Sequence, residues 1–274
     1  AKQKRSWHSS AVVTGAGSGI GRGFALELAA RKGRVVCSDI LLERAEETAA
    51  MIREQGGEAL ALQTDVAKVT AVEALAKQAE KWFGAPADLV INNAGVGAGG
   101  KQVGEIPLAD WKWVMGVNLW GVIHGCHVFA PRLRAAGRGG IVNVCSTASF
   151  AAAPRMGPYN VSKAAALALT ETLAAEMSGT GIAVTALCPT WVKTNIATDG
   201  RIDAGAARWA DKLMARTGLT PERVARQTLD ALDRGQLYVL PQVDAKAIWG
   251  AKRYLPSLYT RGAGLLNRLV SAGA

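Results

Sequence analysis

The chain lacks any run of about 18 uninterrupted apolar residues, the length a membrane-spanning helix needs, and its first residues lack the apolar core of a secretory leader. Both absences point to a soluble protein that meets a membrane at most from its surface. Cysteine is scarce: Cys37, Cys126, Cys145 and Cys188 lie far apart, form no CxxC pair and sit mostly inside apolar runs. Such usage excludes a disulfide framework and predicts a reducing, cytoplasmic location. Only three histidines are present, and His124 and His127, though three apart on a predicted helix, have no third ligand nearby, so no metal site is expected. No Pro/Ser-rich linker interrupts the pattern between Ser10 and Pro241, and there are no repeats or low-complexity tracts. A single domain over 1–274 is therefore expected, with its core at about 10–241. Carboxylates are outnumbered, 22 Asp and Glu against 32 Lys and Arg. The resulting charge of +10 serves solubility, and with no recognisable nucleic-acid motif no nucleic-acid partner is expected.

What is present is apolar residue in regular alternation. The chain has 274 residues of which 49% are hydrophobic, enough to bury a substantial core. Short β-branched or apolar runs at 11–15, 34–39, 60–66, 88–95, 140–146, 182–189 and 237–240 alternate with helical patterns such as 20–31, 43–55 and 69–83. Strands separated by helices need crossover connections, so they pair in parallel with helices on both faces. An α/β, Rossmann-type doubly wound sheet in three α/β/α layers follows.

After the first run comes Thr14-Gly15-Ala16-Gly17-Ser18-Gly19-Ile20-Gly21, then a helix. Glycines allow a tight turn and close backbone approach to a pyrophosphate, and a helix N-terminus offers free N–H donors to the anion. Asp39 ends the second run, 18 residues beyond Gly21, where a carboxylate accepts from both adenosine ribose hydroxyls and repels a 2′-phosphate. The pattern predicts a dinucleotide site that prefers NAD(H) to NADP(H), with Arg22 just past the last glycine as the one cation that opposes the preference.

Tyr159 and Lys163 in Tyr-Asn-Val-Ser-Lys are four apart ahead of an apolar helical run, so they share one helical face. A free phenol is a poor base at neutral pH, and an ammonium about 5 Å away at an effective dielectric near 20 would favour the phenolate by roughly 3 kcal/mol. Taken in order, TGAGSGIG at 14–21, Asp65-Val66, Asn92-Asn93-Ala94-Gly95, Asn118 in VNLWG, Ser146 thirteen residues before Tyr159, and YNVSK resemble a classical short-chain dehydrogenase/reductase over about residues 10–240.

The resemblance implies seven strands in the order 3-2-1-4-5-6-7 and hydride transfer between nicotinamide and a secondary alcohol or ketone. It implies Tyr159 as general acid and base, Ser146 on the substrate oxygen, Lys163 on the nicotinamide ribose and lowering the tyrosine pKa, and Asn118 holding a water that links Lys163 to solvent. Cofactor contacts are expected from Gly15, Ser18, Gly19, Ile20, Gly21, Asp39, Asp65, Val66, Asn92, Ala94, Gly95, Tyr159, Lys163, Pro189, Val192 and Thr194. Family habit implies a homodimer or homotetramer on helices at 107–135 and 156–178. A non-catalytic NAD-binding regulator on the same fold is the alternative, against which the intact Ser146, Tyr159 and Lys163 speak.

The pocket is expected to be lined by Val96, Ser146, Phe150, Met156, Tyr159 and Trp191 together with a lid at 190–218 carrying Ile196, Ile202, Trp209 and Leu213, and so to take a hydrophobic, steroid-like or lipid-like alcohol. The family usually reads Pro-Gly after the sixth strand, whereas here Pro189 is followed by Thr190. Trp111, Trp113 and Trp120 are read as core or subunit packing. The extension 245–274 carries Lys246, Lys252, Arg253, Arg261 and Arg268 without one carboxylate, and Leu258, Leu265, Leu266 and Leu269 fall on one helical stripe. Docking on the domain or a sister subunit is the first expectation, and peripheral membrane contact the second.

Overall fold

A computed structural model describes residues 4–194, 200–203, 205, 208 and 218–272, with positions 266 and 269–272 as backbone only. Seven parallel strands form the sheet: β1 Ser10–Thr14, β2 Arg34–Asp39, β3 Glu58–Gln63, β4 Leu89–Asn92, β5 Gly139–Val144, β6 Ile182–Leu187 and β7 Tyr238–Val239. Their order across the sheet is β3-β2-β1-β4-β5-β6-β7, as expected. The central strands are apolar at nearly every position because both faces are covered, and Val12 pairs in register with Val36 on one side and Val90 on the other.

The helices are α1 Gly19–Ala30, α2 Leu42–Glu54, α3 Val69–Phe83, α4 Leu108–Met115, α5 Gly121–Ala136, α6 Ala148–Ala151, α7 Gly157–Glu176, α8 Pro221–Asp233, α9 Val243–Tyr254 and α10 Pro256–Ala272. One buried layer joins Phe24, Leu28, Ile52, Val224 and Leu229 from α1, α2 and α8 to the sheet. The other joins Leu75, Phe83, Phe129, Leu133 and Leu167 from α3, α5 and α7. Helix ends follow local chemistry: Thr220 accepts from the Arg223 N–H with Pro221 opening α8, and Gly84 closes α3 in the left-handed region at φ 76°.

Because the strand order reverses between β1 and β4, a crevice opens beyond their carboxyl ends, the place where open α/β sheets bind ligands. Two short features near it were not foreseen. Ala98–Gly99 pairs in parallel with Arg201–Ile202, and Val192 bridges to Leu219. Of the expected lid, Ile196, Trp209 and Leu213 lie outside the described residues. The tryptophans form no common cluster. Trp111 meets the start of α7 at Gly157, Trp113 lies 4.3 Å under the Arg201 guanidinium, and Trp120 is 51% exposed rather than in the core.

Candidate active site

The glycine turn owes its shape to close contacts rather than to flexibility. Gly15 adopts φ +64°, and a Cβ there would lie 2.8 Å from the Ala94 Cα. A Cβ on Gly21 would lie 2.0 Å from the Gly15 carbonyl oxygen, which no side chain permits. The turn is tied to the end of β4 by Thr14 and Asn93. Thr14 Oγ1 accepts from the N–H groups of Asn93 and Ala94 at 3.1 and 3.2 Å, and Asn93 Nδ2 donates to the carbonyls of Thr14 and Gly15. Ser18 precedes α1 in extended backbone and its side chain caps none of the first-turn N–H groups, which leaves them directed into the crevice. Thr194 stands over this end of α1, with Cγ2 2.9 Å from where a Gly19 Cβ would sit.

Asp39 is held where β2 ends: its two oxygens accept from Gly17 N at 3.0 Å and Leu41 N at 3.1 Å. Arg22 is occupied, donating to the Gly17 carbonyl, to Thr48 and to Glu47, so it is held by α2 and the turn. Further along, Asp65 accepts from Ala67 N, and the buried Val66 presents its carbonyl 2.8 Å from His124 Nδ1. That bond gives His124 a structural role, and no cluster of potential metal ligands exists among the described residues.

Ser146 follows β5 in a turn where its Oγ accepts from Ala148 N at 3.1 Å. Ser149 Oγ accepts from Ser146 N and donates to the Lys163 carbonyl, fastening that turn to α7. Tyr159 and Lys163 stand one turn apart on α7, with Lys163 Nζ 5.9 Å from the phenol ring centre and donating to the Val144 carbonyl at 2.8 Å. Burial raises the Tyr159 pKa, against which the hydrogen bond with Ser146 acts, and burial lowers that of Lys163. The expected lowering of the phenol by Lys163 is not what the structure shows: both groups are desolvated, and desolvation disfavours both charged forms.

Asn118 sits fully buried in a five-residue π-helical turn, Gly116–Trp120, between α4 and α5. Such turns often mark functional sites. Its Oδ1 accepts from Val96 N at 2.7 Å, and its Nδ2 donates to Val96 O at 2.9 Å and Ser162 Oγ at 3.3 Å. The amide is therefore engaged by the Val96 backbone rather than turned toward Lys163. A Cβ on Gly95 would lie 3.3 Å from Asn118 Oδ1 and 3.5 Å from Lys163 Nζ, which places these three residues side by side. Asn92 lies behind them, donating to Asn143, which in turn donates to Thr170. This buried polar chain stitches β4 to β5 and α7.

On comparison with known proteins, the family model described as short chain dehydrogenase matches residues 9–204. The chain belongs to the short-chain dehydrogenase family. It is 38% identical over 255 residues to the protein named "Probable oxidoreductase EphD" of Mycobacterium tuberculosis, covering 89% of this chain and 43% of that one. The chain thus spans less than half the length of that relative. A 2-(R)-hydroxypropyl-CoM dehydrogenase of Xanthobacter autotrophicus is 34% identical over 91% of this chain and 98% of its own. The crystal structure of a short chain dehydrogenase/reductase from Burkholderia phymatum in complex with NAD superposes with a TM-score of 0.87 at 34% identity, covering 93% of this chain and 96% of that one.

After the sixth strand the chain departs from family habit at Thr190, and the structure shows what holds it there. Thr190 N donates to Gln242 Oε1 at 3.1 Å, Thr190 Oγ1 donates to Asp244 Oδ1 at 3.1 Å and meets Thr147 Oγ1 at 3.0 Å, and Gln242 Nε2 donates to the Trp191 carbonyl. The missing glycine is replaced by side-chain bonds from the start of α9. Thr190→Gly should therefore lower stability by about 1–2 kcal/mol through lost hydrogen bonds and added chain freedom. Thermal melting checks this, and an unchanged midpoint would show that Gln242 alone holds the path.

Val96 is tied to Asn118 through its N–H, and Met156 lies against the strand Ala98–Gly99, its Cγ 3.5 Å from a Gly99 Cβ position. Between α6 and α7, Ala152 and Arg155 take left-handed backbone at φ 50° and 63°, a conformation side chains rarely adopt and one that recurs beside functional sites. Phe150 is turned toward the tail, its ring 5.0 Å edge-on to Trp249 of α9. Arg201 closes the opposite edge, pairing with Asp110 at 2.7 Å and bonding Gly97 O through its N–H.

Proposed function

We propose that this chain is an NAD(H)-dependent dehydrogenase that interconverts a hydrophobic secondary alcohol and its ketone. The observation that carries the reading is the convergence of Ser146, Tyr159 and Lys163 beside Gly95 and Asn118, at the carboxyl end of the sheet. The residues around the crevice fit a nicotinamide dinucleotide. Gly15 and Gly21 leave a cradle that a Cβ would fill, the first turn of α1 is uncapped by Ser18, and Asp39 is fixed at the end of β2. When bound, the cofactor supplies the hydride acceptor or donor.

The chain's own residues supply the rest. The Tyr159 hydroxyl gives its proton to the carbonyl oxygen in reduction and takes the carbinol proton in oxidation. Ser146 Oγ, within hydrogen-bond reach of Tyr159, holds the same oxygen. Lys163 Nζ, anchored on Val144 O, binds ribose hydroxyls and favours the phenolate as the proton leaves. Because the Asn118 amide is committed to Val96, the main chain of the π-helical turn is the better candidate for a water that joins Lys163 to solvent. Val96, Met156 and Trp191 make the pocket apolar, with Phe150 turned away from it toward Trp249, and a relative named for a 2-(R)-hydroxypropyl compound is consistent with a secondary carbinol. We place the protein in the cytoplasm, as a homodimer or homotetramer on α7 and the helical stretch from α4 through the π-helical turn to α5, which leave Val161 46% and Trp120 51% exposed. No described helix is long and apolar enough to cross a membrane.

A panel of secondary alcohols incubated with NAD and read by nicotinamide absorbance tests the reading. Reduction of NAD with apolar members is expected, and no turnover with any member would contradict it. The pH profile adds a second expectation. Burial raises the Tyr159 pKa, so the phenol is protonated at neutral pH, and alcohol oxidation, which needs a proton acceptor, rises as pH climbs above neutral. Ketone reduction uses the protonated form and falls over that same alkaline range. Lys163→Ala removes the neighbouring cation and moves the oxidative limb to higher pH, and a limb that stays in place would take Lys163 out of this role.

A further inference from the structure

The helix α10 presents Leu258 and Leu265 outward. At 100° per residue, Tyr259, Ala263 and Asn267 form one row, and these are the partly buried positions of the helix. Asn267 Oδ1 accepts from Arg155 Nε at 3.3 Å, in the strained loop that leads into Met156 and Tyr159. The opposite side carries Leu258, Arg261, Leu265 and Arg268. Leu258 is 65% exposed and Leu265 52%, and Tyr254 and Leu255, at the junction of α9 and α10, are 80% and 55% exposed. The expected docking of the leucine stripe on the chain's own domain is therefore not what the described leucines do. Leu266 and Leu269 lie outside the described side chains.

Charge decides what the exposed face suits. Positions 245–274 contain five Lys or Arg and no Asp or Glu. Lys252, Arg253, Arg261 and Arg268 form no ion pair among the described residues, although Lys252 lies 5.4 Å over the Tyr259 ring and Arg253 lies 5.5 Å over that of Trp249. A two-fold pairing of this face with a second copy would bring cation against cation with no carboxylate between them. Leucines flanked by cations, on a helix too polar to span, instead match a helix lying in the interface of an anionic bilayer, with the arginine heads reaching lipid phosphates while their stems stay apolar.

We propose that α10 and the Tyr254–Leu255 junction dock this protein reversibly on an anionic lipid surface. The Arg155–Asn267 bond and the Phe150–Trp249 contact put that surface next to the substrate side of the site. The proposal does not rest on the enzymatic reading, because its test reads binding alone. The full chain is sedimented with vesicles of phosphatidylcholine, with and without phosphatidylglycerol, at low and at high salt. Binding is expected only with phosphatidylglycerol, and high salt should release it. Arg261→Glu/Arg268→Glu should lower the partition coefficient by at least about tenfold, and Leu258→Glu/Leu265→Glu should abolish binding, each with unchanged circular dichroism and oligomeric size. Two results would overturn the proposal. One is full-length protein that stays in the supernatant at low salt with anionic vesicles. The other is a leucine variant that dissociates the oligomer and still binds lipid, which would make this face a contact between copies.

Discussion

Replacing Tyr159 by phenylalanine is expected to lower turnover by about a hundredfold or more in both directions while nicotinamide cofactor affinity stays nearly unchanged. The substitution removes one oxygen and leaves the ring in place beside Lys163, so the cradle at Gly15 and Gly21 and the anchor at Asp39 are untouched. Ser146 cannot take over the proton, since its Oγ has an ordinary alcohol's reluctance to ionise and no histidine or carboxylate among the described residues is bonded to it. Steady-state rates together with a fluorescence titration of NADH separate the two effects. Near wild-type turnover in the variant would remove Tyr159 from the chemistry, and lost NADH binding would mean that its hydroxyl is needed to hold the cofactor.

The second large effect concerns the adenosine end. NAD should be used at least about tenfold more efficiently than NADP, because a 2′-phosphate brought to within about 5 Å of the Asp39 carboxylate is repelled by several kcal/mol at an effective dielectric near 20. Both carboxylate oxygens accept backbone N–H bonds, so the group is not free to swing away. The cation that opposes the preference, Arg22, is held by Gly17 O, Thr48 and Glu47. Asp39→Ala should narrow the ratio of kcat/KM values by weakening NAD and admitting NADP. Equal efficiencies in the native protein would mean that Arg22, or Arg44 beside Gly17, leaves its place to meet the phosphate.

Much of the frame was legible because its causes are local. Continuous apolar runs such as Ala11–Val13 and Leu89–Ile91 can only be strands covered on both faces, and Gly15 and Gly21 had to be glycine once the turn lies against Asn93 and Ala94. Tyr159 and Lys163 share a face by helix geometry alone. What escaped the sequence depends on partners distant in the chain. Gln242 and Asp244 hold Thr190 from some fifty residues away, and nothing in their own neighbourhood marks them. Ala98–Gly99 and Arg201–Ile202 are too short to show periodicity. The π-helical turn at Asn118 leaves no compositional trace. The rotation of α10 could not be read, because the periodicity of a leucine stripe fixes that the leucines share a face, while partial burial of Tyr259, Ala263 and Asn267 decides which face turns inward. The balance on Tyr159 was also misjudged, since the attraction of Lys163 can be foreseen from spacing and the desolvation of both groups cannot.

The central claim is hydride transfer between a carbinol carbon and nicotinamide with Tyr159 handling only the proton. Its most direct test uses an apolar secondary alcohol deuterated at the carbinol carbon, incubated with the protein and NAD, with the reduced nucleotide examined by proton NMR. The account predicts one deuterium at nicotinamide C4 of every NADH formed, with none in the solvent and no transfer above background by Tyr159→Phe. Deuterium released to water, or ketone produced without a labelled nucleotide, would contradict it.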